Sequence, residues 1–164
     1  MKPESIRTVA VLGLGTMGHG IAQAFAAAGC QVRCYDESPP ARSALTDRIR
    51  SNLRQMAEAG IHTPDDIDQT LARILVFNTK RKAVNSAQFV TEAVREDLAV
   101  KQALFARIEP RVSPQTILAS NTSTFPVRQI AARLQHPERA VNTHWFNPPH
   151  IVPVVEIVPG EKTA

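Results

Sequence analysis

Apolar residues along the chain alternate between short continuous runs and longer stretches with helical spacing. The first run ends at Leu12 and leads into a glycine-rich stretch, after which a helical pattern covers residues 21–28. Strands buried in parallel sheets are continuous apolar runs, whereas amphipathic helices repeat their apolar residues every three to four positions. The start of the chain therefore predicts a strand, a tight turn and a helix.

The same alternation continues along the rest of the chain. Further strands are predicted at 31–35, 74–78, 87–94, 116–119, 140–145 and 154–158, and further helices at 41–59, 65–73, 96–108 and 126–134. Strands that alternate with helices are typical of a doubly wound sheet, which binds ligands at the carboxyl ends of its strands. The predicted fold class is α/β, a single Rossmann-type domain with a mostly parallel sheet over residues 1–164.

The turn after the first strand carries the spacing Gly-x-Gly-x-x-Gly. Gly13 permits the tight turn, Gly15 lets the backbone approach a pyrophosphate, and Gly18 lets the helix pack closely. The N-terminus of the helix presents free N–H groups and the positive end of its dipole to phosphates. The predicted dinucleotide-binding loop consists of Gly13, Leu14, Gly15, Thr16, Met17 and Gly18.

An acidic residue ends the second predicted strand. Asp36 lies about 20 positions after the glycines, where a carboxylate accepts hydrogen bonds from the adenine-side ribose. A 2′-phosphate on that ribose would be repelled by Asp36 and Glu37. The sequence therefore predicts NAD as the cofactor. The alternative is an ordinary strand–turn–helix in which Asp36 starts a loop.

Composition and charge limit the classes of partner that this protein is expected to bind. The formal net charge of +4 favours an anionic ligand, but the basic residues are scattered and aromatic residues do not interleave with them. We therefore expect no nucleic-acid partner. No apolar run reaches the ~18 residues of a membrane span, and two cysteines make no disulfide framework. We expect a cytoplasmic protein that has no metal site and does not associate with membranes.

Polar clusters follow three of the predicted strands. They are Glu92 with Glu96, residues 120–124 and residues 144–149. Loops at strand ends are free of ladder hydrogen bonds and can direct side chains at a ligand. The three clusters are therefore expected to border the cofactor at the carboxyl edge of the sheet.

His144 is the histidine best placed for chemistry. The ordinary pKa of histidine lies near neutrality, which suits removal of a hydroxyl proton during hydride transfer. Glu156 is predicted to face inward from the next strand and to pair with the second ring nitrogen of His144, since an unpaired buried carboxylate is costly. Ser123 is predicted to hydrogen-bond the substrate oxygen. The alternative for His144 is a histidine that contacts a loop carbonyl.

Four segments together resemble the NAD-binding domain of the 3-hydroxyacyl-CoA dehydrogenase family. They are the glycine loop, Glu92-Ala-Val-Arg-Glu-Asp97, Ala119-Ser-Asn-Thr-Ser123 and His144-Trp-Phe-Asn-Pro-Pro149 with Glu156. The resemblance runs from Arg7 to Thr163. It implies reversible, NAD-dependent oxidation of an L-3-hydroxyacyl-CoA to the 3-oxoacyl-CoA.

The resemblance also implies a role for each matching residue. His144 would be the catalytic base with Glu156 as its partner, and Ser123 would contact both the substrate oxygen and the nicotinamide. The remaining residues implied to line the NAD site are Asp36, Glu96, Lys101 and Asn147.

Two departures from the family pattern leave alternatives open. Family members have a second, mostly helical domain that completes the substrate pocket and forms a homodimer, and we expect this chain to lack it. Family members that bind CoA often carry serine and lysine where this chain has Asn52 and Ala59, so Asn52, Arg50 and Arg54 are the candidate substrate contacts. The alternative functions are oxidation of a free hydroxy acid resembling carnitine or gulonate, and a non-catalytic NAD-binding module.

Overall fold

A computed structural model describes residues 5–61, 63 and 65–164. In this part of the chain, one sheet contains β1 (Thr8–Leu12), β2 (Gln31–Tyr35), β3 (Ile74–Val76), β4 (Phe89–Glu92), β5 (Ile117–Ser120), β6 (Ala140–Trp145) and β7 (Val155–Pro159). Its strand order is β3-β2-β1-β4-β5-β6-β7. Neighbours from β3 to β6 pair in parallel, and β7 pairs antiparallel with β6. The predicted α/β fold with a mostly parallel sheet is confirmed.

The helices after the first are shorter or more divided than predicted, whereas the first begins three residues earlier. The helices are α1 (Gly18–Ala27), α2 (Pro39–Ser43), α3 (Leu45–Glu58), α4 (Asp65–Ala72), α5 (Lys80–Val84), α6 (Leu98–Ile108) and α7 (Val127–Ile130). The prediction of a single helix at 41–59 is wrong, because Ala44 separates α2 from α3. Ala44 keeps φ −81° and ψ −10°, so the apolar spacing continues through the break. Within the described residues, no helix is both long and apolar enough to cross a membrane.

Two further helix predictions also differ from the structure. The helix predicted at 126–134 is one turn, α7, followed by a 3₁₀ turn at Ala131–Arg133. The sequence analysis missed α5, whose five residues are too few to show helical periodicity. Thr79 caps this helix, since its side chain accepts a hydrogen bond from the Lys82 N–H at 3.3 Å. That cap is the sequence signal that could have predicted it.

Side chains of β1 divide between two hydrophobic cores, one on each face of the sheet. Val9 and Val11 belong to one core, and Ala10 and Leu12 belong to the other. This division follows from the two-residue repeat of a strand. The first core receives residues of α1 and α3, and the second receives residues of α5 and α6. Because the strands from β3 to β6 pair in parallel, their carboxyl ends lie at one edge of the sheet.

Strand β7 is the last strand of the sheet and is largely exposed. Ile157 is 62% exposed and Val158 is 46% exposed. The prediction that Glu156 faces inward is wrong, because its side chain is 57% exposed. Its strand pairs with β6 and lies at the margin of the sheet, so one flank is open to solvent.

A buried carboxylate holds the connection between α7 and β6. The oxygens of Glu109 accept hydrogen bonds from the N–H groups of Gln135 and His136, both at 2.9 Å. The Arg139 guanidinium lies 3.3 Å from the same carboxylate. Burial would raise the pKa of Glu109, but these hydrogen bonds outweigh it and hold that pKa below its usual range.

We predict that Glu109→Gln makes the domain less stable at neutral pH. The loss is about 1–3 kcal/mol, because a buried donor loses its charged acceptor. A carboxyl whose folded pKa is lowered stabilises the protein above its unfolded pKa of about 4.3, and this contribution disappears as the pH falls through the folded value. In urea unfolding, the free energies of unfolding of the wild type and of Glu109→Gln should therefore differ widely at pH 7 and only slightly below pH 4. An equal difference at both pH values would contradict this assignment.

We also predict that Gly18→Ala is strongly destabilising. A Cβ at Gly18 would lie 1.7 Å from the carbonyl oxygen of Gly13, whereas a Cβ at Gly15 would have no described atom within 4 Å. The cost at Gly18 should be about 3 kcal/mol or more, because backbone must move to relieve the overlap. Gly15→Ala is the matched control and should change stability by no more than about 0.5 kcal/mol. Equal urea midpoints for the two variants would show that Gly18 does not pack against the Gly13 carbonyl as described.

Candidate active site

The loop between β1 and α1 presents its backbone to open space. Gly13 has φ +91° and its N–H donates to the Tyr35 carbonyl at 2.8 Å. Leu14 is buried, whereas Gly15 and Thr16 are exposed. Because the surroundings of Gly15 are open, a ligand can approach the backbone there as closely as a pyrophosphate requires.

Asp36 lies beside this loop, directly after β2. One carboxylate oxygen accepts a hydrogen bond from the Leu14 N–H at 2.7 Å, and the other accepts from the Ser38 N–H at 2.8 Å. These two bonds fix the orientation of the carboxylate. Each oxygen retains capacity to accept a further hydrogen bond, for example from a ribose hydroxyl.

A cavity of about 590 Å³ opens from the glycine loop past Asp36. Tyr35, Val94 and Leu104 contribute apolar surface to its walls. Its volume lies in the range of about 300–1,000 Å³ that is usual for ligand sites. The cavity therefore combines an apolar wall for a base with a carboxylate for a ribose.

Buried charged side chains support the next part of this edge. The Lys101 ammonium, fully buried, lies 2.8 Å from a Glu92 oxygen and 3.1 Å from a Glu96 oxygen. Burial raises the pKa of Glu92, against the opposing influence of Lys101 and of the Ser120 hydroxyl. Burial would also raise the pKa of Glu96, but hydrogen bonds from Thr122 and Lys101 outweigh it and lower that pKa. Within this group the Glu96 side chain is partly exposed, whereas the side chains of Glu92 and Lys101 are fully buried.

The segment after β5 connects this cluster to β6. The Asn121 side-chain oxygen accepts a hydrogen bond from the backbone N–H of Trp145 at 3.1 Å. Its backbone N–H donates to the Glu92 carbonyl at 2.8 Å. Ser123 follows on the exposed surface of the same loop. Sequence reasoning missed Asn121, although it lies inside the predicted cluster at 120–124.

His144 and Glu156 are brought together by the pairing of β6 and β7. They are directly opposite each other in the antiparallel register, and His144 Nδ1 lies 2.7 Å from Glu156 Oε2. An ionised carboxylate accepts hydrogen bonds, so this contact places the proton of a neutral imidazole on Nδ1. The Nε2 lone pair is then available as a base. The predicted His144–Glu156 contact is found on a partly exposed edge.

The candidate substrate residues lie on α3. Asn52 donates to the Gln23 side-chain oxygen at 3.1 Å, and Arg50 lies 3.2 Å from Asp68. Arg54 is exposed. Asn147 is likewise exposed, in the loop after β6. Their contacts to substrate or cofactor stay predictions.

Sequence reasoning also missed a contact beneath the glycine loop. Arg48 donates to the Leu14 carbonyl at 2.9 Å and to the Gly15 carbonyl at 3.4 Å, and its guanidinium lies 3.0 Å from His19 Nδ1. Burial lowers the pKa of His19, and Arg48 lowers it further. In the sequence, Arg48 was indistinguishable from the other arginines of its helix. Within the described residues, no three His, Cys, Asp or Glu side chains converge as they would around a metal ion.

Comparisons with known proteins agree with this geometry. A family model for the 3-hydroxyacyl-CoA dehydrogenase NAD-binding domain matches residues 8–164. The chain is 41% identical to 3-hydroxyadipyl-CoA dehydrogenase of Escherichia coli over 98% of its length, and 38% identical to a probable 3-hydroxybutyryl-CoA dehydrogenase of Bacillus subtilis over 97%. It spans 34% and 55% of those two relatives, respectively. An L-carnitine dehydrogenase of Streptomyces coelicolor is 35% identical over 99% of this chain and half of its own length.

Solved structures of related enzymes have the same fold. The 3-hydroxybutyryl-CoA dehydrogenase of Escherichia coli superposes with a TM-score of 0.92 at 39% identity, over 98% of this chain and 34% of that protein. The (S)-3-hydroxybutyryl-CoA dehydrogenase of Ralstonia eutropha also gives 0.92, at 33% identity, over 98% of this chain and 56% of that protein. The chain therefore belongs to the 3-hydroxyacyl-CoA dehydrogenase family, of which it forms the NAD-binding domain.

Proposed function

We propose that this chain is the cofactor domain of an enzyme that oxidises an L-3-hydroxyacyl-CoA reversibly to the 3-oxoacyl-CoA. The observation that carries the proposal is the contact between His144 and Glu156 at the carboxyl end of β6. The same edge of the sheet bears the glycine loop and Asp36. The names of the relatives from Escherichia coli and Bacillus subtilis support a CoA thioester as substrate.

The residues along the cavity fit NAD. Gly15 leaves room for a pyrophosphate above the loop, and Asp36 has acceptor capacity for ribose hydroxyls. The chemistry that NAD supplies when bound is hydride acceptance. Glu96, Lys101 and Asn147 are proposed to complete the site toward the nicotinamide, with Lys101 acting through Glu96 because its own ammonium is buried.

The chain's own contribution to the reaction is proton transfer. His144 Nε2 removes the hydroxyl proton as the hydride leaves the same carbon. Glu156 holds the ring in the tautomer that leaves Nε2 free, and it stabilises the imidazolium that results. Ser123, exposed in the neighbouring loop, is proposed to hydrogen-bond the substrate oxygen.

A free hydroxy acid is the second candidate substrate. Two of the three residues expected to contact CoA already have partners in the protein, since Asn52 bonds Gln23 and Arg50 lies beside Asp68. The similarity to L-carnitine dehydrogenase favours the same alternative. Comparing the turnover of acetoacetyl-CoA with the turnover of 3-dehydrocarnitine distinguishes the two candidate substrates.

The proposal extends to partners and compartment. We propose that the active protein is a cytoplasmic homodimer in which a second, helical domain completes the substrate pocket. The relatives are about two to three times as long as this chain. The exposed apolar side chains of Ile151 and Val154, which precede β7, and of Ile157 on β7 support such a covering domain.

We predict that His144→Ala lowers turnover by about 10²- to 10⁴-fold, because a positioned base is lost. NADH oxidation with acetoacetyl-CoA, followed by absorbance, measures this in the chain and in any longer natural form that contains it. His136→Ala is the matched control, because His136 also lies beside a glutamate, Glu138, at 3.1 Å but outside the site. Turnover that survived the change at His144 would refute its role as base.

We predict that Asp36→Asn weakens NADH binding about tenfold or more, because a hydrogen bond to a charged group is worth about 1.5–3 kcal/mol. Asparagine retains one acceptor oxygen for the two N–H groups of Leu14 and Ser38, so the fold of the variant has to be checked beside its affinity. Titration of the NADH fluorescence gives the Kd, and circular dichroism verifies the fold. An unchanged Kd in a folded variant would remove Asp36 from the cofactor site.

A further inference from the structure

The proposed cofactor cavity contains more cationic than anionic side chains. Among the described residues that line it, Lys80, Arg95 and Arg107 are cationic, and Asp36 and Glu37 are anionic. The summed charge of the lining therefore does not exclude a ligand with one more phosphate. A preference for NAD over NADP has to come from how these charges are paired.

Lys80 is held by Glu37 at the end of β2. The ammonium of Lys80 lies 2.6 Å from Glu37 Oε1 and 5.9 Å from the centroid of the Tyr35 ring. The Lys80 side chain is 22% exposed, whereas that of Glu37 is 78% exposed. Because Thr79 caps the helix that Lys80 begins, the backbone of Lys80 is fixed whether or not Glu37 is present.

Two other cations near the cavity are held differently. Arg42 donates through Nη1 to the backbone carbonyls of Asp36 at 2.6 Å and Glu37 at 3.2 Å, so the side-chain charge of Glu37 does not engage it. Arg95 lies 3.5 Å from Asp97. Arg107 also lines the cavity and interacts electrostatically with Glu37, but Lys80 is the cation that donates a hydrogen bond to the Glu37 carboxylate. Loss of that carboxylate would therefore release Lys80 toward the ribose beside Asp36.

We propose that Glu37 sets the choice between NAD and NADP by occupying the ammonium of Lys80. NADP differs from NAD by a 2′-phosphate on this ribose, and a cation beside the carboxylate is what accommodates it in dinucleotide folds. This chain carries such a cation but neutralises it with Glu37, whose charge also repels the phosphate. The inference rests on the proposed cofactor site.

The test is the ratio of the Kd for NADPH to the Kd for NADH, measured by fluorescence titration at one ionic strength. The two cofactors share every contact except those of the phosphate, so a general effect on folding cancels in this ratio. The wild type should bind NADH more tightly. Glu37→Gln should lower the ratio about tenfold, which corresponds to about 1.4 kcal/mol. An unchanged ratio would overturn the inference.

A second substitution tests whether Lys80 is responsible. Adding Lys80→Met to Glu37→Gln should restore most of the original ratio, because the released ammonium is removed. Adding Arg81→Met instead is the matched control, since Arg81 is the exposed neighbour on the same helix, and it should leave the new ratio in place. A double variant that lacked Lys80 but kept the new ratio would overturn the inference. Failure of the wild type to bind either cofactor would refute the cofactor site itself.

Discussion

The cofactor edge of this domain depends on one close backbone contact at the start of α1. Gly18 approaches the carbonyl of Gly13 at a distance that no side chain permits. The helix can therefore begin directly above the end of β1, with its first N–H groups directed outward. The same turn bonds to Tyr35 at the end of β2 and lies against Ala93 after β4. Three strand ends are thus brought together at one point.

Buried charge organises the next strand ends. Lys101 joins Glu92 on β4 to Glu96 in the loop that follows, and Ser120 on β5 bonds the same Glu92 carboxylate. A buried ion pair is weak evidence for stability, because apolar residues of equal volume often serve as well. The buried group is therefore better explained by the orientation that it imposes on Glu96.

The contact between His144, the proposed base, and Glu156 depends on a different constraint, the antiparallel pairing at the margin of the sheet. His144 and Glu156 are twelve residues apart, and the register of β6 with β7 places them opposite each other. A last strand has one open flank, which leaves this pair accessible and also exposes Ile157. The accessibility of this pair and the exposure of Ile157 thus have one structural origin.

Local information in the sequence was sufficient for the order of the strands along the chain and for the glycine loop. Each depends on spacing between near neighbours or on the two-residue repeat of a strand. The tertiary structure alone decided that Glu156 is exposed and that Lys101 is buried, because burial depends on which distant segments pack together. It also brought Lys80 to Glu37 from 43 residues away along the chain. Contacts at that separation are set by the packing of the whole sheet, and no local pattern encodes them.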